Sequence, residues 1–188
     1  MRSRTALRLL LLLAASRPGA TGMARAQSVV FASGSVGIAV PVGSALALGV
    51  GADVGRLRAG VSMTETYRVL RSSPGLFGPP RETRTLNVFL AHAGRVAVSG
   101  SGRERRALVA GLGAARVKDL DRNAPAGTPT VRVRWVQALG VGAETRARAF
   151  RTRDGYGLYV SAGVHGIVSR PASTALVSLG LVHVFDVR

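Results

Sequence analysis

The stretch VRVRWVQALGVGAETRARA, residues 131–149, decides the fold class. Apolar side chains alternate along it with charged or small ones, the period of a β-strand with one apolar and one polar face. The apolar face contains Val131, Val133, Trp135, Leu139, Val141 and Ala143. The opposite face contains Arg132, Arg134, Gly140, Gly142, Glu144, Arg146 and Arg148. The pattern therefore predicts a long amphipathic strand.

The same period of two recurs along the rest of residues 27–188 and predicts eight strands in all. The other segments that carry it lie at about 35–42, 46–54, 60–70, 85–90, 108–114, 156–168 and 177–187. In each of them the large apolar residues share one face, as Leu86, Val88 and Leu90 do in the fourth. We therefore expect an all-β protein.

The composition of the other face separates a soluble β-fold from a membrane barrel. That face consists largely of glycine, alanine and serine with charges at intervals, so it is not expected to form a packed hydrophobic core. It suits a polar lumen instead, with Val, Leu and Ile facing lipid. Glycine pairs such as Gly49/Gly51 and Gly140/Gly142 would make room for long arginine side chains. The sequence predicts an eight-stranded antiparallel up-and-down transmembrane β-barrel, because a spanning sheet must close on itself.

Residues 1–26 have the features of a secretory signal peptide. Three arginines precede the apolar run Leu9–Ala15, and Ala24 and Ala26 place small residues where a signal peptidase cleaves. The run is too short for a spanning helix, which needs roughly 20 apolar residues. We expect cleavage before Gln27, leaving residues 27–188 as one outer-membrane barrel domain.

The composition argues against several function classes. The chain carries 26 Lys+Arg against 9 Asp+Glu, yet the basic residues are scattered and lack the interleaved aromatics that stack nucleic-acid bases. Cysteine is absent, which excludes thiolate metal sites and a cysteine nucleophile. His92, His165 and His183 stand singly, and no Gly-x-Gly pair completes a nucleotide-binding motif. We expect no metal, no cofactor, no nucleic-acid partner and no enzymatic activity.

Three segments resemble strands of a known family. Residues 107–115 (ALVAGLGAA) resemble the fifth strand, residues 135–144 (WVQALGVGAE) the sixth, and residues 177–185 (VSLGLVHVF) the closing strand of the outer-membrane β-barrel domain family. That family groups the small porin-like proteins with the OmpA membrane domain and the OmpX/Ail surface proteins. The resemblance implies an outer-membrane location, contact with outer-membrane lipids and assembly by the barrel assembly machinery through the C-terminal strand. It does not identify an extracellular partner.

The charged residues of the polar face predict an ion-pair network inside the lumen. Its expected members are Asp53, Arg132, Arg134, Glu144, Arg146, Arg148 and Asp186. Paired in this way they would plug a narrow barrel, which favours a structural or surface-interaction role. Two alternatives remain at this stage: a narrow anion-preferring pore, and a secreted or periplasmic soluble β-barrel that binds an apolar ligand with its apolar faces inward.

Two places do not fit a regular barrel. With the N-terminus on the periplasmic side, the outer connections fall at 41–44, about 71–84, about 118–130 and about 169–174, and the segment 94–106 then makes an unusually long periplasmic connection. Glu65 shares the apolar face of its strand and would point at lipid. We expect either a different register or a β-bulge there.

Overall fold

A computed structural model describes residues 28–40, 43–72, 80–99, 101, 103–122, 128–152, 156–169 and 173–187. The predicted leader lies outside these residues. The strands are β1 Ser28–Val40, β2 Gly43–Val54, β3 Leu57–Arg71, β4 Glu82–Val98, β5 Glu104–Asp121, β6 Thr130–Arg151, β7 Tyr156–Ser169 and β8 Thr174–Val187. Within the described ranges, no helix is long and apolar enough to cross a membrane.

The eight strands form a closed barrel in chain order. Every neighbouring pair is antiparallel, and β1 closes the ring on β8 with Ser28 opposite Val187. The predicted eight-stranded up-and-down barrel is confirmed. We call the end of the β1–β2 connection the upper end and the end of the β2–β3 turn the lower end.

One side of the barrel is much taller than the other. Strands β3 to β6 have 15, 17, 18 and 22 residues, whereas β1, β2, β7 and β8 have 12 to 14. The partner of Ser169, near the top of β7, is Ala138, so residues 130–137 of β6 extend past β7. The upper ends of β3 to β6 therefore project beyond the rest of the wall.

The lower end carries short turns. Gly55 and Arg56 connect β2 to β3, and Gly55 has φ 61°, the positive value that a type II′ hairpin requires at its first central position. Between β4 and β5 only residues 99–103 remain, where the Ser99 amide donates to the Glu104 carbonyl at 2.9 Å. The expected long connection at 94–106 is therefore wrong, because both strands continue into it.

Glu65 keeps its place on the outer face without a bulge. Its neighbours are Leu46 on β2 and Asn87 on β4, and the register runs unbroken through this point. The irregularity of β3 lies higher, between Val69 and Arg71. Asn87 in turn lies opposite Arg116, so Glu65 belongs to a polar row on the exterior.

The exterior of the barrel is apolar, as predicted for most strands. Leu48, Leu139 and Leu179 are each at least half exposed on it. The prediction for β4 is wrong: Val88 is 1% exposed and points inward, while Phe89 lies outside. The alternation was recognised correctly there, but both faces of β4 carry apolar residues, and the period alone does not say which one faces in.

The upper half of the interior is a packed apolar layer, contrary to the expectation of a polar lumen throughout. Alanines from β1, β2, β5 and β6 leave space that larger side chains from β4, β5, β7 and β8 fill. This upper apolar layer comprises Ala39, Ala45, Leu86, Val88, Ala115, Val117, Ala138, Ile167 and Leu176. Small residues therefore do allow a core to form, provided that neighbouring strands supply complementary bulk.

Candidate functional site in the barrel lumen

Below the upper apolar layer, charged side chains from four strands meet inside the barrel. Asp53 near the end of β2 and Arg58 near the start of β3 are cross-strand neighbours flanking the turn at Gly55. Arg58 Nε donates to Asp53 Oδ1 at 2.7 Å and Nη2 donates to Oδ2 at 3.0 Å. This bidentate geometry is the strongest that an arginine and a carboxylate can form. Both side chains are almost completely buried.

The same arginine reaches across the lumen. Arg58 Nη1 donates to Glu144 Oε2 on β6 at 2.7 Å. Glu144 also accepts from Arg146, by Nε at 2.8 Å and by Nη2 at 2.9 Å. Arg105 Nη1 on β5 completes the set by donating to Asp53 Oδ2 at 3.2 Å. We call these five residues the ion cluster; they tie the β2–β3 hairpin to β5 and β6.

Aromatic rings pack against the arginines of the ion cluster. The guanidinium carbon of Arg146 lies 4.1 Å from the centre of the Phe31 ring, and that of Arg58 lies 4.8 Å from it. Arg105 lies over Tyr159 at 5.9 Å. Phe31 and Tyr159 belong to a buried apolar group with Val29, Val182 and Val184. Cation–π contacts of this kind gain strength when the cation is desolvated.

A second, more exposed group of charges lies at the upper end. Asp119 on β5 accepts from Arg84 Nε at 2.5 Å and from Arg134 Nη2 at 3.1 Å. The Arg134 side chain is about half exposed. Solvent screening leaves such pairs with little net stabilisation, so this group differs in character from the ion cluster.

The seven residues predicted for the lumen network do not all lie together in the structure. Asp53, Glu144 and Arg146 lie in the ion cluster, and Arg134 lies in the upper group. Arg132 is exposed and Arg148 half-buried, and neither forms an ion pair with a described residue. The side chain of Asp186 lies outside the described part of the chain.

Sequence reasoning missed Arg58 and Arg105, the two arginines that join the carboxylates into one cluster. Both lie on the inward parity of their strands, two residues before Gly60 and Ala107 respectively. Extending the alternation by two residues would have found them. They were overlooked because β3 and β5 begin earlier than the apolar pattern indicates.

Between the ion cluster and the upper apolar layer lies a cavity of about 110 Å³, which we call the chamber. Serine hydroxyls and the imidazoles of His92 and His165 contribute to its wall. Gly142 and Gly163 leave room for the His165 ring, and a Cβ at Gly60 would lie 2.9 Å from Nε2 of His92. The lumen glycines thus accommodate histidines here, where we had expected arginines. No cluster suited to a metal ion occurs among the described residues.

The architecture is similar to solved outer-membrane barrels. The N-terminal β-barrel domain of Pseudomonas aeruginosa OprF matches with a TM-score of 0.52 and 15% identity, over 85% of this chain and 97% of that one. Ail, the attachment invasion locus protein of Yersinia pestis, matches with 0.51 and 12% identity, over 85% and 97%. Neisserial surface protein A matches with 0.51 and 14% identity, over 86% and 96%. No protein-family model and no curated protein matches the sequence. The chain has the fold of the eight-stranded outer-membrane β-barrels.

Proposed function

We propose that this protein is an integral outer-membrane barrel with a plugged lumen and a structural or surface-interaction role. The observation that carries the proposal is the apolar exterior of a closed barrel. Large side chains such as Val36, Ile38 and Leu112 each expose more than 60% of their surface there. Apolar areas of this extent are far larger than the patches of soluble monomers, and lipid is the environment in which they are stable.

The orientation of the side chains argues against a soluble carrier of an apolar ligand. Such a carrier needs an inward apolar face around an open pocket and a charged exterior. Here the ion cluster is inside, and the upper interior is filled by Leu86, Val117, Ile167 and their neighbours. The chamber between them, at about 110 Å³, is too small for a lipid-sized ligand.

The ion cluster and the upper apolar layer also argue against an anion-preferring pore. A conducting ion would have to pass the ion cluster, whose five side chains are joined by hydrogen bonds of 2.7 to 3.2 Å. It would then have to pass the packed side chains of the upper apolar layer, where the loss of its hydration is costly. The proposal therefore assigns the lumen a structural role and no catalytic one.

The projecting strands form the surface to which we assign the interaction role. Basic residues outnumber acidic ones on the described upper parts of β3 to β6. The basic residues are Arg68, Arg71, Arg81, Arg84, Arg116, Lys118, Arg122, Arg132 and Arg134, and the acidic ones are Glu65, Glu82, Asp119 and Asp121. A partner that docks at this end would gain from negative charge. In this proposal residues 1–26 direct export, and β8 is the strand that the assembly machinery receives.

Cell fractionation followed by gel electrophoresis with and without boiling tests the proposal. The full chain, expressed in a Gram-negative host, is expected in the outer membrane, with faster migration before boiling than after. A barrel resists detergent unfolding because all of its backbone hydrogen bonds are internal. Recovery in the soluble periplasmic fraction, with one mobility at both temperatures, would contradict it.

A further inference from the structure

The ion cluster contains more positive than negative charge. It brings together the guanidinium groups of Arg58, Arg105 and Arg146 and the carboxylates of Asp53 and Glu144. The three arginines are each at most 5% exposed. Arginine remains protonated under all ordinary conditions, so the cluster cannot lose its excess charge by releasing a proton. Within the described part of the chain no further carboxylate forms an ion pair with the cluster. An uncompensated charge in a buried site is costly, and an anion would remove that cost.

Two buried donors of the cluster, Nη1 of Arg146 and Nε of Arg105, have no acceptor among the described residues. Nη1 of Arg146 is buried and forms no hydrogen bond with a described residue, whereas Nε and Nη2 of the same side chain both donate to Glu144. Arg146 also contributes to the wall of the chamber. A buried donor that is left unpaired costs more than an ordinary hydrogen bond contributes, so a ligand that accepts from Nη1 would bind favourably.

Other side chains of the chamber wall, including one on the neighbouring strand, supply further hydrogen-bond donors. Ser161 on β7 lies directly across from Arg146 on β6, and both side chains point into the barrel. Cβ atoms of such neighbours are about 5 Å apart, so both side chains can contact the same small ligand in the lumen. Ser178 on β8 and the imidazoles of His92 and His165 also line the chamber. Glu144 lines it too, but its charge is already shared between Arg58 and Arg146.

We propose that the chamber binds a small monovalent inorganic anion, of the halide class, on Nη1 of Arg146 and the hydroxyl of Ser161. The chamber has the volume of several water molecules, which suits a halide with some of its hydration. The upper apolar layer lies above the chamber and the ion cluster lies below it, so the anion is a structural component of the lumen that binds as the barrel folds. The inference adds a ligand to the proposed plugged lumen and rests on that plug.

The test compares refolding of the full chain in detergent micelles with chloride, bromide or gluconate at constant ionic strength. Gluconate is too large for the chamber and serves as the reference anion. We expect the temperature at which the compact gel form is lost to be several degrees higher in chloride and bromide, with an effect that saturates as the halide concentration rises. Equal midpoints in all three salts would overturn the proposal.

Two variants test whether the stabilisation by halide arises at Arg146. Arg146→Gln is expected to lose the difference between halide and gluconate, whereas Arg134→Gln, in the exposed upper group, should retain it. A halide effect of the same size in Arg146→Gln would mean that the anion acts elsewhere and would refute the site. Because Arg146→Gln also removes hydrogen bonds to Glu144, crystals of the unaltered chain grown in bromide provide a second measurement that does not depend on the variant's folding. An anomalous peak within hydrogen-bond distance of Nη1 is expected, and a lumen without one would refute the site.

The test of the anion site and the test of the proposed outer-membrane function can fail independently. A chain that reaches the outer membrane and shifts on heating, yet shows neither halide dependence nor a bromide peak, overturns the anion site alone. A chain that stays soluble overturns the proposed outer-membrane function.

Discussion

Leu139 is the residue at which the membrane proposal can be tested most directly. It lies near the middle of β6 with its side chain half exposed on the exterior. Arginine at such a position faces hydrocarbon, and we expect Leu139→Arg to lower the free energy of unfolding by about 2 to 4 kcal/mol. Reversible denaturant unfolding in lipid vesicles gives the value.

Val131→Arg provides a matched control for Leu139→Arg. Val131 also points outward on β6 but lies in the projecting upper part, beyond the top of β7. Near or above the lipid interface the same substitution should cost only about 0 to 1 kcal/mol. Equal costs at the two positions would show that β6 does not cross a bilayer in the proposed orientation.

Glu144 connects two arginines of the ion cluster, so its charge should matter more than that of a surface carboxylate. Glu144→Gln leaves the charges of Arg58 and Arg146 without their shared partner, and we expect a loss of about 3 to 5 kcal/mol. Glu104→Gln removes a carboxylate from an exposed pair with Arg106 and should cost at most about 1 kcal/mol. The heating midpoint of the compact gel form would rank the two variants, and indistinguishable midpoints would remove the cluster from the stability of the barrel.

The members of the ion cluster were only partly predictable from the sequence. Alternation placed Asp53, Glu144 and Arg146 on the inward face, because parity within a strand is a local property. Which inward charges meet depends on the shear of the barrel, which brings Arg58 on β3 to Glu144, 86 positions along the chain. Nothing in the sequence near either residue specifies that contact.

At the scale of the strands, glycine permits close approach between β4 and β5. A Cβ built at Gly94 would overlap the carbonyl oxygen of Leu108 and lie 2.8 Å from Cα of Val109. Backbone atoms of a central strand pair cannot shift cheaply, so we expect Gly94→Ala to destabilise the barrel by about 1 to 3 kcal/mol. Gly34→Ala is the control, since its Cβ would meet only Cδ2 of Leu48 at 3.6 Å. A Gly94→Ala barrel as heat-resistant as the control would contradict the close approach.

The sequence was sufficient to predict that eight strands exist. It was less informative about where each strand ends and which of its faces points into the barrel. The period of two located all eight strands, because each has one predominantly apolar face. The lower ends of β4 and β5 were missed because charged residues such as Arg95 and Arg105 interrupt the apolar pattern there. The face of β4 was assigned wrongly because its inward residues pack in the upper apolar layer, a property of the assembled barrel.

At the scale of the whole molecule, the ion cluster and the upper apolar layer together predict very low ion conductance through the barrel. Reconstituted in planar bilayers, the protein should produce no large, stable conductance steps, because the ion cluster and the upper apolar layer obstruct the lumen in series. Any residual leak should favour anions, given the excess positive charge of the cluster. Steady steps of porin size would contradict the plugged lumen.

The closed ring has a consequence for how the chain can be reconnected. The start of β1 and the end of β8 are hydrogen-bonded neighbours at the lower end, where Ser28 lies opposite Val187. A short linker between them, with a new opening at the turn of residues 99–103, would give a circular permutant that begins with β5 and preserves all eight strand pairings. In that permutant β4 is the last strand synthesised. Its assembly would distinguish whether the cell recognises the sequence of β8 or only its place at the end of the chain.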